Sequence, residues 1–194
     1  MNSLLCRAFL WIPLVITASF LSMPTSSFSQ QSANAAAFAK SVQIGVIISK
    51  PSKIKGGDYD DKVQVVGGRI KLTNNDVRHS FEGYSLTLSF FGQSTIDGKV
   101  RKVILQEAVS VNLAPRGSQE QECKEVITRF DKTGAKFGFF YDGWIAVVKD
   151  TEGKVVFVKS TSPTLEKLPE QASMLALDGC YNSKLVAVGD PDRL

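Results

Sequence analysis

Groups that do covalent and metal chemistry are scarce in this chain of 194 residues, which carries one histidine, His79, and three cysteines. A multi-histidine zinc site is thereby excluded, and any Ser/His/Asp arrangement has a single base to draw on. There is no G-x-S-x-G, no Gly-rich phosphate loop, no H-E-x-x-H, no C-x-x-C and no N-x-[ST] acceptor; Gly92-Gln93-Ser94-Thr95 lacks the second glycine of a nucleophile elbow. Charge of one sign is not concentrated: 23 Lys and Arg stand against 19 Asp and Glu, and the signs alternate along the chain, so the basic footprint of a nucleic-acid binder is missing. At 43% apolar, with 15 Gly and 7 Pro, the sequence is neither disordered nor collagen-like. Its length suffices to bury a core without metals or many disulfides.

Residues 1–29 hold one charge, Arg7, followed by the apolar run Ala8–Ile16 and small residues up to Ser29. This pattern predicts a signal peptide with cleavage before Gln30, a later cut at Ala35–Ala37 and an uncleaved anchor being the alternatives. Cys6 precedes the apolar core, whereas a lipid-modified cysteine follows it, so a lipoprotein is rejected. Processing removes Arg7 and lowers the net charge from +4 to +3. It also leaves Cys123 and Cys180 as the sole pair in an oxidising compartment, which predicts a disulfide between them. The expected location is secreted, periplasmic or cell-surface, with no membrane span in the mature chain.

Residues 30–40 read as a flexible leader. From Val42 the apolar period becomes two. Val42, Ile44, Val46 and Ile48 form one alternating set, followed by Val63 and Val65, then Ile70 and Leu72. Tyr84, Leu86, Leu88 and Phe90 alternate with Ser85, Thr87 and Ser89, as on a sheet with one dry and one polar face. Val103 and Leu105, then Val109, Val111 and Leu113, continue the pattern with Glu107 as an interruption where a bend or bulge fits, and Val126, Thr128 and Phe130 add another strand. Turn chemistry separates paired runs at Asp97-Gly98, Asp131–Gly134 and Asp150–Gly153, where Asp bonds its own backbone and Gly supplies positive φ.

These features predict an all-β fold: an antiparallel β-sandwich of about seven to nine strands over 41–160, with a helical segment and tail over 161–194 packed on one end. In that segment Ser162 caps, Pro163 suits the first turn, and Leu165, Leu168, Ala172 and Leu175 share a face that Pro169 interrupts. Asp178-Gly179 stops it, and Leu185–Val188 is a last edge strand or a loose end.

The strand spacing over residues 42–160, together with Trp144 in a buried-looking strand, resembles secreted immunoglobulin-like and fibronectin type III-like β-sandwich modules. The resemblance is one of class and carries over no functional residue. Cys123 and Cys180 do not have the spacing of an immunoglobulin inter-sheet pair.

Few residues stand out as sites. Asp58, Asp60 and Asp61 follow Gly56-Gly57 and offer carboxylate oxygens to calcium, although the D-x-[DN]-x-[DN]-G spacing is absent and a solvated loop explains them equally. Glu107, Glu120, Glu122, Glu125, Asp142 and Asp150 are all available as paired carboxylates for glycoside hydrolysis, and none is marked out. His79, between Arg78 and Ser80, reads as an exposed loop residue. The most distinctive cluster is Phe137, Phe139, Phe140, Tyr141 and Trp144, in which Asp142-Gly143 resets the alternation. Packed core aromatics are the default; the alternative is a glycan-stacking platform of Tyr141 and Trp144 with Asp142 hydrogen-bonding. The functional expectation is a noncatalytic module without cofactor that contacts another secreted or envelope protein. The alternatives are a carbohydrate-binding module and, more distantly, a glycoside hydrolase.

Overall fold

A computed structural model describes residues 35–54, 61–134 and 136–193. The expected signal peptide therefore lies outside the described residues, as do Asp58 and Asp60. The leader reading fails from residue 35 onward, because residues 35–41 form a helical turn, α1. Its Phe38 is fully buried, stacking on Tyr84 at 4.8 Å between ring centroids and meeting Phe81 edge-on at 5.2 Å.

The strands are β1 (Val42–Ser49), β2 (Ser52–Ile54), β3 (Asp61–Asn74), β4 (Phe81–Ser94), β5 (Arg101–Leu113), β6 (Ser118–Asp131), β7 (Phe137–Lys149), β8 (Val155–Ser160), β9 (Cys180–Tyr181) and β10 (Ala187–Val188). Every pairing among them is antiparallel. The hydrogen-bonded order is β1-β3-β6-β7-β4-β5-β9-β10, with β2 beside β3 and β8 beside β7. The path folds into two layers because β6 meets β7 only at Phe130–Gly138 and Asp131–Phe137. The all-β expectation is met, with fewer long strands than the apolar runs suggested. Val63–Leu72 is one strand that crosses an irregularity at Gly67-Gly68 opposite β6, and β5 runs unbroken through Glu107. Rather than bending its strand, Glu107 accepts the backbone N–H of Lys124 from β6 at 3.1 Å.

The main core lies between the layers. Val42, Ile44, Val66, Ile70 and Leu72 come from one, and Leu86, Leu88, Phe90, Val109, Val111, Trp144, Ala146 and Val148 from the other. A second core covers the opposite face of the β4-β5-β7 layer, where Phe91, Val103, Ile145 and Val147 meet Leu165, Ala172, Leu175, Tyr181 and Leu185. Burial on both faces explains the continuous apolar run Trp144–Val148, which shows no alternation of the kind a half-exposed strand has. The C-terminal segment thus packs on a sheet face and not on an end of the sandwich. The face read from the sequence is the one used: Leu165 sits in a 3-10 turn (Leu165–Lys167), and Pro169 opens α2 (Pro169–Ser173), where its missing N–H costs nothing. Ser162 makes no helix cap, its hydroxyl lying 2.8 Å from that of Thr164.

All three Asp turns form as side-chain-to-backbone bonds: Asp97 accepts from Lys99, Asp131 from Thr133, and Asp150 from Glu152 and Lys154. Of their glycines only Gly153 has positive φ, at 81°.

The expected disulfide is absent, and both Cys123 and Cys180 are free. Cys123 lies on β6 opposite Gly68, packed against the main core, while Cys180 lies on β9 opposite Lys102 in a separate cluster with Val100 and Phe139. Different layers hold them, so the bridge would require a strand to leave its sheet. Burial pushes both thiols upward in pKa, Glu107 adding to the effect at Cys123 and Asp190 at Cys180. We expect the buried Cys180 to stay unmodified by a thiol reagent at neutral pH and to react on unfolding, and Cys123, which is partly exposed, to react in the folded protein more slowly than a free thiol. A 2 Da mass gain on reduction of the untreated protein would contradict this arrangement.

Candidate functional site

The side of the sandwich flanked by β1 and β8 is the open one. Asn75 N–H donates to Ser41 O at 2.9 Å, and Val42 stands opposite Asn74. That phase turns the backbone groups of Gln43, Gly45 and Ile47 toward β3, and those of Val42, Ile44, Val46 and Ile48 outward. No strand among the described residues pairs with this outer edge. Pro51, between β1 and β2 along the same side of β3, turns its carbonyl inward to accept from Val65 N–H at 3.0 Å, so its missing N–H removes a bond to β3 and none from the outer side.

Among the described residues, β7 is the one strand that pairs with β8. Thr161 N–H donates to Trp144 O, so Ser160 and Val158 present their backbone outward, and the Glu166 carboxylate takes the Ser160 N–H at 3.0 Å. Between the two edges runs a groove of about 330 Å³, lined by Lys40, Val42, Ile44, Asn75, Phe157 and Lys159. Its rim is basic: Lys40 lies at one end of β1 and Lys50 at the other, neither with an acidic partner among the described residues. Lys159 pairs with Glu166 at 3.1 Å, and the Lys50 ammonium lies 5.1 Å from the centre of the Tyr141 ring. On the solvent face of the same sheet Ile47 is 67% exposed, above a shallow groove over Gly67-Gly68 that Arg69 and Glu122 also line.

The residues singled out in the sequence fall elsewhere. Trp144 is 9% exposed and belongs to the main core, so the sugar platform built on it does not form. Tyr141 is half-buried, edge-on to Phe90 at 6.2 Å, and its backbone N–H donates to Gln64 Oε1 at 2.9 Å. Burial, reinforced by the Asp142 charge, pushes its phenol up to about 12. Because the fold favours the neutral phenol, this residue's contribution is full below the ordinary tyrosine pKa of about 10 and is lost as pH rises through the folded value. Burial, with the Asp150 charge, raises the Tyr84 phenol as well, so ultraviolet titration is expected to show two tyrosines ionising late and Tyr141→Phe to remove one of them; a titration unchanged by the substitution would refute the assignment.

Asp142 is the extra residue of a β-bulge, since Phe91 faces Gly143 while the next residue, Gly92, faces Tyr141. The expected reset of alternation is this bulge. It turns the Asp142 carboxylate onto the Arg101 guanidinium, with both groups about three-quarters buried. Asp61, half-buried, opens β3, and no group of three or more His, Cys, Asp or Glu suited to a metal occurs among the described residues.

His79 lies exposed, with Nδ1 3.0 Å from Asp76 Oδ2. Asp76 also accepts the backbone N–H groups of Arg78 at 2.7 Å and His79 at 3.0 Å. These bonds, the Arg78 N–H first, hold the Asp76 carboxyl far below the usual range. The stabilisation is complete above the ordinary aspartate value of about 4 and disappears as pH falls toward the depressed folded value. Asp76→Asn is expected to flatten the acid limb of the stability curve, and an unchanged slope below that pH would refute the assignment.

A larger cleft of about 510 Å³ sits where α1 meets β4, lined in part by His79, Glu82, Tyr84 and Asp150. Three of its side chains already serve the fold: His79 faces Asp76, Asp150 closes its turn, and the Tyr84 ring stacks on Phe38. It is the seam along which α1 docks. Sequence reading did not single out the β1 edge as a site.

Comparison with family models and with curated proteins finds no match. Among solved structures, this chain is similar to a crystal structure from Akkermansia muciniphila at 9% sequence identity, over 70% of this chain and 77% of that one, with a TM-score of 0.32.

Proposed function

We propose that the protein is a noncatalytic module of the cell envelope or the extracellular space that acts by binding another protein through the open side between β1 and β8. One observation carries this reading: an outer strand with an outward row of backbone donors and acceptors borders a groove in which Val42, Ile44 and Phe157 lie among Lys40, Gln43, Asn75 and Lys159. The sequence supports the location through the signal-like pattern of residues 1–29, and the class of module through the likeness of its strand spacing to immunoglobulin-like and fibronectin type III-like sandwiches. Among the described residues, the carboxyls of Asp76, Glu166 and Asp190 are displaced downward by the hydrogen bonds that they accept.

The test is lysine-reactive cross-linking of the tagged full-length protein in its native host, with the linked residues mapped by mass spectrometry. One or two defined envelope or secreted proteins joined through Lys40, Lys50 or Lys159 is the expected result. Cross-links that avoid these lysines, or recovery of polysaccharide with no protein, would overturn it.

A further inference from the structure

The partner's chemistry follows from the edge, on the premise that the open side is the binding surface. We propose that β1 receives an extended segment of another protein that carries acidic residues at its two ends and adds to the sheet as an antiparallel strand. Outward backbone groups of Val42, Ile44, Val46 and Ile48 supply the register, since these four positions leave the β3 ladder free. Alternate side chains of an added strand then point to opposite faces. One set enters the groove beside Phe157, and the other lies along the face that exposes Ile47.

Charge selects the occupant. Lys40 and Lys50 bracket β1, and Lys159 stands on the far wall of the groove. A second copy of this chain is a poor fit, because antiparallel pairing of two β1 strands about Gly45 sets Lys40 of each copy opposite Lys50 of the other. Lys40 lies on the helical turn just before β1 and Lys50 just after it, so the ammonium groups of the two copies would crowd at both ends of the paired strands, and lysines beside an outer strand are a common guard against self-pairing. An acid-ended segment converts the same two repulsions into attractions.

Amide hydrogen exchange on the full chain reads the register directly. In the free protein the amides of Gly45 and Ile47, bonded to β3, should exchange slowly, and those of Ile44, Val46 and Ile48 fast. The probe is a capped ten-residue peptide of alternating valine and threonine with two glutamates at each end; its counterpart has lysines in place of the glutamates. Addition of the glutamate peptide is expected to slow Ile44, Val46 and Ile48 selectively, and its affinity to fall about tenfold or more between low and high salt. The lysine peptide should leave exchange unchanged. Val46→Pro removes one outward donor and no bond to β3, so it should abolish peptide binding; Lys40→Glu with Lys50→Glu should weaken binding at least about tenfold while leaving the Gly45 and Ile47 amides protected.

Slow exchange at Ile44, Val46 and Ile48 before any peptide is added would mean that the edge is already covered, and would overturn the proposal. So would equal binding of the two peptides. If a partner found by cross-linking binds Val46→Pro as it binds the parent protein, strand addition is wrong while the protein-binding reading stands. If cross-linking finds no protein at these lysines yet the glutamate peptide produces the alternating protection, the failure lies in the wider reading and not in the chemistry of the edge.

Discussion

Phe38→Ala is expected to lower stability by about 3–5 kcal/mol, the cost of emptying a fully buried aromatic site that cannot collapse. Three rings close around Phe38: Tyr84 stacked at 4.8 Å, Phe81 edge-on at 5.2 Å and Phe157 at 6.3 Å. They come from β4 and β8, so the side chain of α1 joins elements distant in sequence. For a chain of this size the loss corresponds to a drop in melting temperature of about 10 °C. Lys40→Ala, at an exposed position on the same turn, serves as the control and should change stability by less than about 0.5 kcal/mol. A Phe38→Ala melting curve within about 2 °C of the parent would show that α1 is detached in solution.

Gly138→Ala should be at least as damaging, at about 4 kcal/mol or more, for a different reason. Gly138 has φ of 78°, and a Cβ placed there would run into the backbone carbonyl of Arg129, which has no side-chain freedom to yield. The position is where β6 passes from one layer to the other, Phe130 standing opposite Gly138. Its N–H is held by the Asp192 carboxylate at 3.0 Å and its carbonyl accepts from Thr95 N–H at 3.1 Å. Relief by local movement would therefore break the link between the layers. Gly153 has a similar φ of 81° but no heavy atom within 4 Å of an added Cβ, so Gly153→Ala isolates the backbone term, about 1–2 kcal/mol. Equal losses at the two glycines would show that the Arg129 carbonyl moves aside.

Legibility in the sequence followed the physics of each element. Period-two alternation in Val42–Ile48 and Tyr84–Phe90 marks strands because those strands face water or polar groups on one side, at least in part. The Asp-initiated turns were readable because they are local, each closed by a carboxylate on a backbone N–H two to four residues on. Phe38 was not readable, since a single apolar residue among Ala and Asn has no period, and its rings come from β4 and β8. The Cys123 and Cys180 pairing failed because counting thiols says nothing about which layer each strand joins. Trp144 was correctly set in a buried strand, and that same burial is what removes it from any glycan site. The open edge of β1 is a property of what fails to arrive beside it, which no local pattern encodes.

Sheet faces covered by a later part of the chain also impose an order of events in time. The face formed by Phe91, Val103, Ile145 and Val147 is complete once β7 exists, yet its cover, Leu165 through Leu185, is made afterwards. During synthesis that apolar surface stays bare for the interval in which some twenty to forty further residues are added. The second core is therefore the last to close, and a chain cut short before Leu165 would leave that face uncovered.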